Sequence, residues 1–325
     1  MKNLIFIILS ILIILYIIDR KKIVPLKIKN DMNSNINEIN YIDIFTENIL
    51  TKIKEINPLK TNQVWTYIEI YDISKNHQNF YKKYTLIPYF IECVKKLNNS
   101  VLDLIIITPL NIRHYLPDFD LIMSPTSPIP LKKRVDILFS ELIEKYGGLC
   151  ISPGTIVYNI QPLLNKVGNT DLVTIGNSSN ILNNYNNKLY PNTYVIGGKK
   201  NSPIIKQYRI KLRQSIDQLQ SFNVRFLTSQ EILSNILHYS DMDDNHLHFN
   251  IDHDGSHDIN MKTLTIDDYL GTEKIVFKQS NELYLITFPY EELTTNLKYR
   301  WFRELSYYDF KHSNVEINRL LELDT

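Results

Sequence analysis

The sequence predicts an α/β fold, with a mixed, mainly parallel sheet flanked by helices behind an N-terminal membrane helix. Three observations carry that reading. Within residues 131–158, Val135, Leu138, Phe139, Leu142, Ile143 and Tyr146 fall at the spacing of an amphipathic helix. Gly147-Gly148 stops this helix, and the short apolar run Leu149-Cys150-Ile151 follows. Residues 63–70, 87–97 and 101–108 read as strand, helix, strand, the βαβ unit of a parallel sheet. Leu4 to Ile18 is apolar apart from Ser10, and lies between Lys2 and Asp19-Arg20-Lys21-Lys22.

The N-terminal run is short against the ~20 residues a membrane span normally needs, and it overlaps the length of a signal-peptide core. No small-x-small cleavage site follows it, so residues 1–22 are expected to form an uncleaved single-pass anchor. Arg20, Lys21, Lys22, Lys27 and Lys29 outweigh Lys2, which by the positive-inside rule puts the body in the cytoplasm. A lumenal body would need the opposite, and the side stays open. Residues 23–60 read as a polar stem with a helix over 36–56, and 61–325 as the globular domain.

Within that domain a short helix is expected over 110–116. Strands are expected at 171–175 and 193–197, and Pro203 opens a long helix over 204–219. A strand at 224–227 leads into Thr228-Ser-Gln-Glu231, a capping box at a helix start. Asp241 to Asp258 is dense in Asp and His, but its spacing fits neither a zinc nor an EF-hand pattern. It reads as a solvated loop around a hairpin. Strands at 274–278 and 283–288 precede a helical C-terminus that holds Trp301-Phe302.

Composition narrows the function classes. A net charge of +1 over 325 residues gives no polyanion-binding signature, so nucleic acid is set aside. The 2 cysteines, Cys93 and Cys150, make no disulfide framework and read as small buried hydrophobes. Sequons at Asn98 and Asn177 weigh little in an Asn-rich chain. The sequence contains no Gly-rich phosphate loop and no Ser-His-Asp motif.

Several stretches are arranged as in GT-A glycosyltransferases: Trp65 on the first strand, Pro88-Tyr89 on a helix, the strand 101–107, and Leu116-Pro117 before the central helix. The chain most resembles the capsular-polysaccharide-synthesis and Och1-like sugar transferases over residues 63–322. Asp136 stands at the family's spacing before Gly147-Gly148, and Tyr194 to Pro203 is similar to the segment after the catalytic strand. The resemblance implies a GT-A-like nucleotide-diphospho-sugar transferase fold, a nucleotide-sugar donor and a glycan or protein acceptor. It also brings departures. The family's helical Arg falls on Phe139, and its Asp-x-Asp falls on Ser152 and Gly154, as in a divergent branch of these proteins. In the family those carboxylates hold a divalent cation that neutralises the diphosphate leaving group. A hydroxyl and a glycine cannot hold Mn²⁺ or Mg²⁺ that way, so no metal is assigned.

The donor-binding candidates are therefore Trp65, Asp136, Gly147, Gly148, Ser152 and Trp301. Asp136 reads either as a ligand for a donor-sugar hydroxyl or as an ordinary helix carboxylate. Gly147 and Gly148 end a helix whatever the function. Trp65 and Trp301 either stack on a ligand or fill the core. Two functions follow: sugar transfer without the usual cation, or a catalytically silent GT-A-like domain kept for binding or scaffolding.

Overall fold

The computed structural model describes residues 62–69, 88–101, 103–119, 127, 129–178, 189–217, 227–239, 245–249, 253–278 and 283–321. The first strand, β1 (Val64–Tyr67), is followed by helix α1 (Pro88–Ser100) and strand β2 (Leu104–Ile107). The short helix α2 (Ile112–Tyr115) and the 16-residue helix α3 (Leu131–Tyr146) lead into β3 (Gly148–Ile151). Next come β4 (Ile156–Val157), α4 (Gln161–Val167), β5 (Leu172–Ser178), β6 (Leu189–Gly198), α5 (Pro203–Asp217) and α6 (Ser229–Tyr239). After β7 (His246–Phe249), α7 (Ile266–Leu270) and β8 (Leu285–Ile286), the chain closes with the short helices α8 (Tyr290–Thr295), α9 (Arg300–Arg303), α10 (Tyr307–Lys311) and α11 (Glu316–Leu321).

Six strands form one sheet in the order β2-β1-β3-β6-β5-β7. The β1–β2, β1–β3 and β5–β7 pairs are parallel, while β6 runs antiparallel to both β3 and β5. Five strands therefore run one way and β6 alone is reversed, the mixed, mainly parallel sheet that the sequence predicts. Strand alternation splits the core between two faces. Trp65, Ile105, Ile107, Cys150 and Ile196 pack with α3, α5 and α6 on one face. Val64, Leu104, Ile106, Leu149 and Ile151 pack with α1 and α4 on the other. A third cluster gathers Tyr89 and Cys93 of α1 with Phe288, just after β8, and with Phe302 and Phe310 from the C-terminal helices.

The capping box forms as expected: Thr228 N donates to Glu231 Oε2 at 2.7 Å, and Glu231 N donates to Thr228 Oγ1 at 3.1 Å. Three expectations are corrected. The membrane-embedded, single-pass placement is overturned because, among the described residues, no helix is long and apolar enough to cross a membrane. The longest of them, α3, has 16 residues and spans about 24 Å, against a hydrocarbon core of roughly 30 Å. The run 4–18 assigned to the span, like the stem 23–60, lies outside the described residues. Residues 274–278 are not a strand, because their backbone groups are bonded elsewhere. Ile275 N donates to the buried Glu316 carboxylate at 2.8 Å, and Ile259 N donates to Val276 O at 2.7 Å. Within 241–258, residues 246–249 form β7, bonded parallel to β5, where a solvated loop around a hairpin is expected. Residues 224–226 of the expected strand lie outside the described residues.

Candidate functional site

Two connections leave the middle of the sheet in opposite directions. From β1 the chain crosses through α1 to β2, and from β3 it crosses through α4 toward β5. In open α/β sheets such a divergence leaves a crevice outside the carboxyl ends of the strands. Here β1 and β3 are parallel neighbours, so Glu69, after β1, and Ser152, after β3, lie at that end of the sheet. The first turn of α3 and the Thr193-Tyr194 segment of β6 reach the same end, since Ser152 N donates to Tyr194 O at 2.8 Å.

Asp136 sits one turn into α3 and is buried, with 2% of its surface exposed. Its Oδ1 accepts from Lys132 Nζ. That ammonium also donates to Thr193 Oγ1 at 2.6 Å and lies 4.8 Å from the centroid of the Tyr194 ring. Lys132 thus ties Asp136 to the strand segment that holds Ser152. Burial pushes the Asp136 carboxyl above the usual carboxylate range, against the opposing pull of Lys132. Its second oxygen, Oδ2, and the Tyr208 hydroxyl are buried, and Ser229 is the polar neighbour of both groups. Burial also raises the Tyr208 phenol and lowers the neighbouring Lys133 ammonium, whose Nζ donates to Leu227 O at 3.1 Å.

On the other side of the crevice Arg134, also buried, donates through one terminal nitrogen to Glu69 Oε1 at 3.1 Å and through Nε to Ile129 O at 3.1 Å. The Ser152-Pro153-Gly154 turn is closed by Thr155 N donating to Ser152 O at 3.1 Å. It is covered from α1, where Tyr89 OH donates to Gly154 O at 2.6 Å. Ser152 is 1% exposed and its hydroxyl has no partner. Tyr89 in turn packs edge-on to Phe288 and against Phe302, which Trp301 of α9 meets at 5.6 Å. Trp301 is partly buried against this aromatic cluster.

The remaining candidates sit deeper, at the amino end of β3. Trp65 has no exposed surface; its indole Nε1–H donates to Gly147 O at 3.0 Å and its ring packs against Tyr115 and Tyr146. Gly147 and Gly148 adopt φ of 75° and 112°, conformations that favour glycine. A β-carbon on Gly148 would stand 2.5 Å from Gln63 O and 2.7 Å from Trp65 Nε1. Trp65, Gly147 and Gly148 thus set the register of β1 against the helix end. Asp136 and Ser152, joined through Lys132 and Tyr194, meet at the crevice. Sequence reasoning passes over Lys132, Arg134, Glu69, Thr193 and Tyr194. The signal it misses is a helix whose first turn carries Lys132-Lys133-Arg134 and no acidic residue.

The donor set at 152–154 lacks a carboxylate. Among the described residues, no group of three or more His, Cys, Asp or Glu is arranged to hold a metal ion. The cluster is built of ion pairs and hydroxyls, suited to binding an oxygen-rich anionic or sugar ligand.

Comparison with known proteins follows this geometry. The sequence pattern of the family described as "Capsular polysaccharide synthesis protein" matches residues 85–265, from α1 through α6 to the start of α7. No curated protein matches. Among solved structures, the apo-form glycosyltransferase GlyE of Streptococcus pneumoniae TIGR4 is 12% identical, with 82% of this chain and 64% of GlyE covered at a TM-score of 0.38. The PaToxG glycosyltransferase is 15% identical, with 64% of this chain and 80% of that chain covered at a TM-score of 0.29. Likenesses this weak do not bear on activity, and the match takes in only 64% of the GlyE chain.

Proposed function

We propose that this chain, which belongs to the capsular polysaccharide synthesis protein family, transfers a sugar from a nucleotide-sugar donor to a glycan acceptor on a GT-A-like frame, without an Asp-x-Asp cation. One observation carries the reading. Inside the family-matched segment, Asp136 is held through Lys132 at the carboxyl end of β3, beside the turn where the family's cation ligands fall. The mainly parallel sheet with β6 reversed is consistent with that frame.

The chemistry sets what the crevice must do. In sugar transfer an acceptor hydroxyl oxygen bonds to the anomeric carbon as the carbon–oxygen bond to the diphosphate breaks. The largest contribution a protein makes is fixed positive charge where the leaving group gathers its negative charge. Asp136 bears on this reaction by holding Lys132.

The competing reading is a domain that binds but does not catalyse. The covered Ser152-Pro153-Gly154 turn favours it, with Tyr89 bonded to Gly154 O. A single experiment separates the two. The full chain is mixed with a panel of UDP- and GDP-sugars, with and without Mn²⁺, and binding and released nucleotide are measured. Turnover that is lost in Asp136→Ala, with the fold retained, supports a transferase. Binding without turnover points to the silent domain. An absence of binding to every donor sinks the sugar-nucleotide assignment.

A further inference from the structure

Helix α3 begins against a general electrostatic rule. The amino end of a helix carries partial positive charge and favours acidic side chains. Here the first turn holds Lys132, Lys133 and Arg134, no acidic residue, and no side-chain cap on its leading N–H groups. Each of the three cations is anchored: Lys132 on Asp136 and Thr193, Lys133 on Leu227 O, Arg134 on Glu69 and Ile129 O. Local rules are broken in this way where a ligand compensates.

The members of the Lys132–Asp136 pair differ in exposure. The Asp136 side chain is 1% exposed and the Lys132 side chain 17%, so the ammonium is the member that faces the crevice. At the end of β3 the buried Ser152 Oγ has no hydrogen-bond partner. Buried polar atoms are normally satisfied, so this hydroxyl is an independent sign that a polar group belongs between α3 and the end of β3.

We propose that Lys132 is the diphosphate-binding cation of this site, taking the place of the metal that an Asp-x-Asp pair would hold; the inference rests on the sugar-transfer reading above. Two carboxylates with a divalent cation are electrically neutral, and so are Lys132 and Asp136 together. In both, a buried anionic base presents a cation to the ligand. Asp136 is then a positioning residue. It holds the ammonium at the carboxyl end of β3, with the Tyr194 ring beneath it and the positive end of α3 behind it. The ligand class is a pyrophosphate-bearing molecule, whose oxygens accept from Lys132 Nζ in place of its long 3.4 Å contact with Thr193 O, and from the N–H groups of the first turn of α3.

The test uses inorganic pyrophosphate and UDP, each in EDTA, titrated calorimetrically into the full chain. Lys132→Met, Lys132→Arg and the double variant Lys132→Met/Asp136→Asn are compared, with circular dichroism as the check on folding. The double variant keeps the pair neutral and guards against loss of fold in the single one. Wild type is expected to bind both ligands without metal. The double variant should bind roughly tenfold more weakly or worse, with Lys132→Arg recovering part of the loss. Unchanged affinity in the double variant overturns the assignment of Lys132 and leaves the transferase reading standing. Wild-type binding that appears only with Mn²⁺ overturns it in the same way. Failure of wild type to bind pyrophosphate, UDP or any nucleotide-sugar with or without Mn²⁺ overturns both.

Discussion

Replacing Lys132 by Met tests the electrostatics of the site through stability, independently of any ligand. The ammonium is the charged partner of a carboxylate whose side chain is 1% exposed. Removing it strands that charge among Tyr208, Ser229 and the core, and breaking a buried pair from one side costs about 3–5 kcal/mol. Met fills most of the stem volume, so the cost is electrostatic. At roughly 2–4 °C per kcal/mol for a domain of this size, the melting temperature should fall by about 6–20 °C at neutral pH. Asp136→Asn should be far milder, within about 1 kcal/mol of wild type. Burial already holds the Asp136 carboxyl above its ordinary range, so its ionised form is a liability that Lys132 only partly offsets. Acid strengthens the argument. A carboxyl raised in the folded state binds its proton more tightly there than in the unfolded chain. Its penalty is therefore full above the folded pKa and gone below the unfolded one. The deficit of Lys132→Met relative to wild type should shrink as pH falls from 7 toward 4, and the double variant with Asp136→Asn should recover most of it. Urea unfolding of the four proteins across that range measures all of this. Equal costs for the two single variants, or a Lys132→Met deficit independent of pH, would refute the reasoning.

Two further outcomes follow from the same structure. Gly148→Ala forces a β-carbon into φ of 112° and to 2.5 Å from Gln63 O, so it should destabilise by roughly 3 kcal/mol or more, read by denaturant unfolding; the Trp65 emission should shift as its bond to Gly147 O is strained. His248 is bonded to Thr174 Oγ1 at 2.8 Å and to Gly176 O at 3.2 Å, and burial, then His246, depresses it to about 4. Its folded form resists the proton that the unfolded chain accepts near 6.5, so stability should fall as pH drops from about 6.5 toward 4, by on the order of 3 kcal/mol at most. His248→Gln should flatten that part of the pH profile in thermal melts.

The sequence shows most of the frame because most of it is local. The spacing of Val135, Leu138, Leu142 and Ile143 specifies the buried face of α3, and the two glycines specify its end. The Thr228–Glu231 box is a contact three residues long, and it forms. Long-range contacts are where the reading fails. Residues 274–278 have strand-like composition, but Glu316, far along the chain, takes the Ile275 N–H that a ladder would need. The segment around His246 reads as a solvated loop from its charge, yet His246-Leu247-His248-Phe249 alternates with the period of a strand and pairs with β5. The site is legible in the same proportion. Only the resemblance to sugar transferases implies that Asp136 and Ser152 share one strand end. Nothing local shows that Lys132 turns back onto Asp136, or that Arg134 finds Glu69 across the crevice.

On the proposed reading, the covered turn and the cation-rich helix start are linked consequences of one substitution pattern. Carboxylates at 152 and 154 would stand where Ser152 is 1% exposed, and ionised groups in such a place are tolerable only with a bound cation. With a hydroxyl and a glycine instead, the turn needs no cation. Tyr89 can close over it from α1 and donate to Gly154 O. Positive charge for an anionic ligand must then come from another element that reaches the same strand end. Helix α3 is that element, because its first turn touches Thr193 and Tyr194 beside Ser152 through Lys132. The alternatives exclude each other locally, because a metal beside Lys132 would place two cations on one buried carboxylate. A chain with Ser152 and Gly154 is thus consistent with Lys132 on Asp136, and a chain with Asp-x-Asp is not expected to keep that pair.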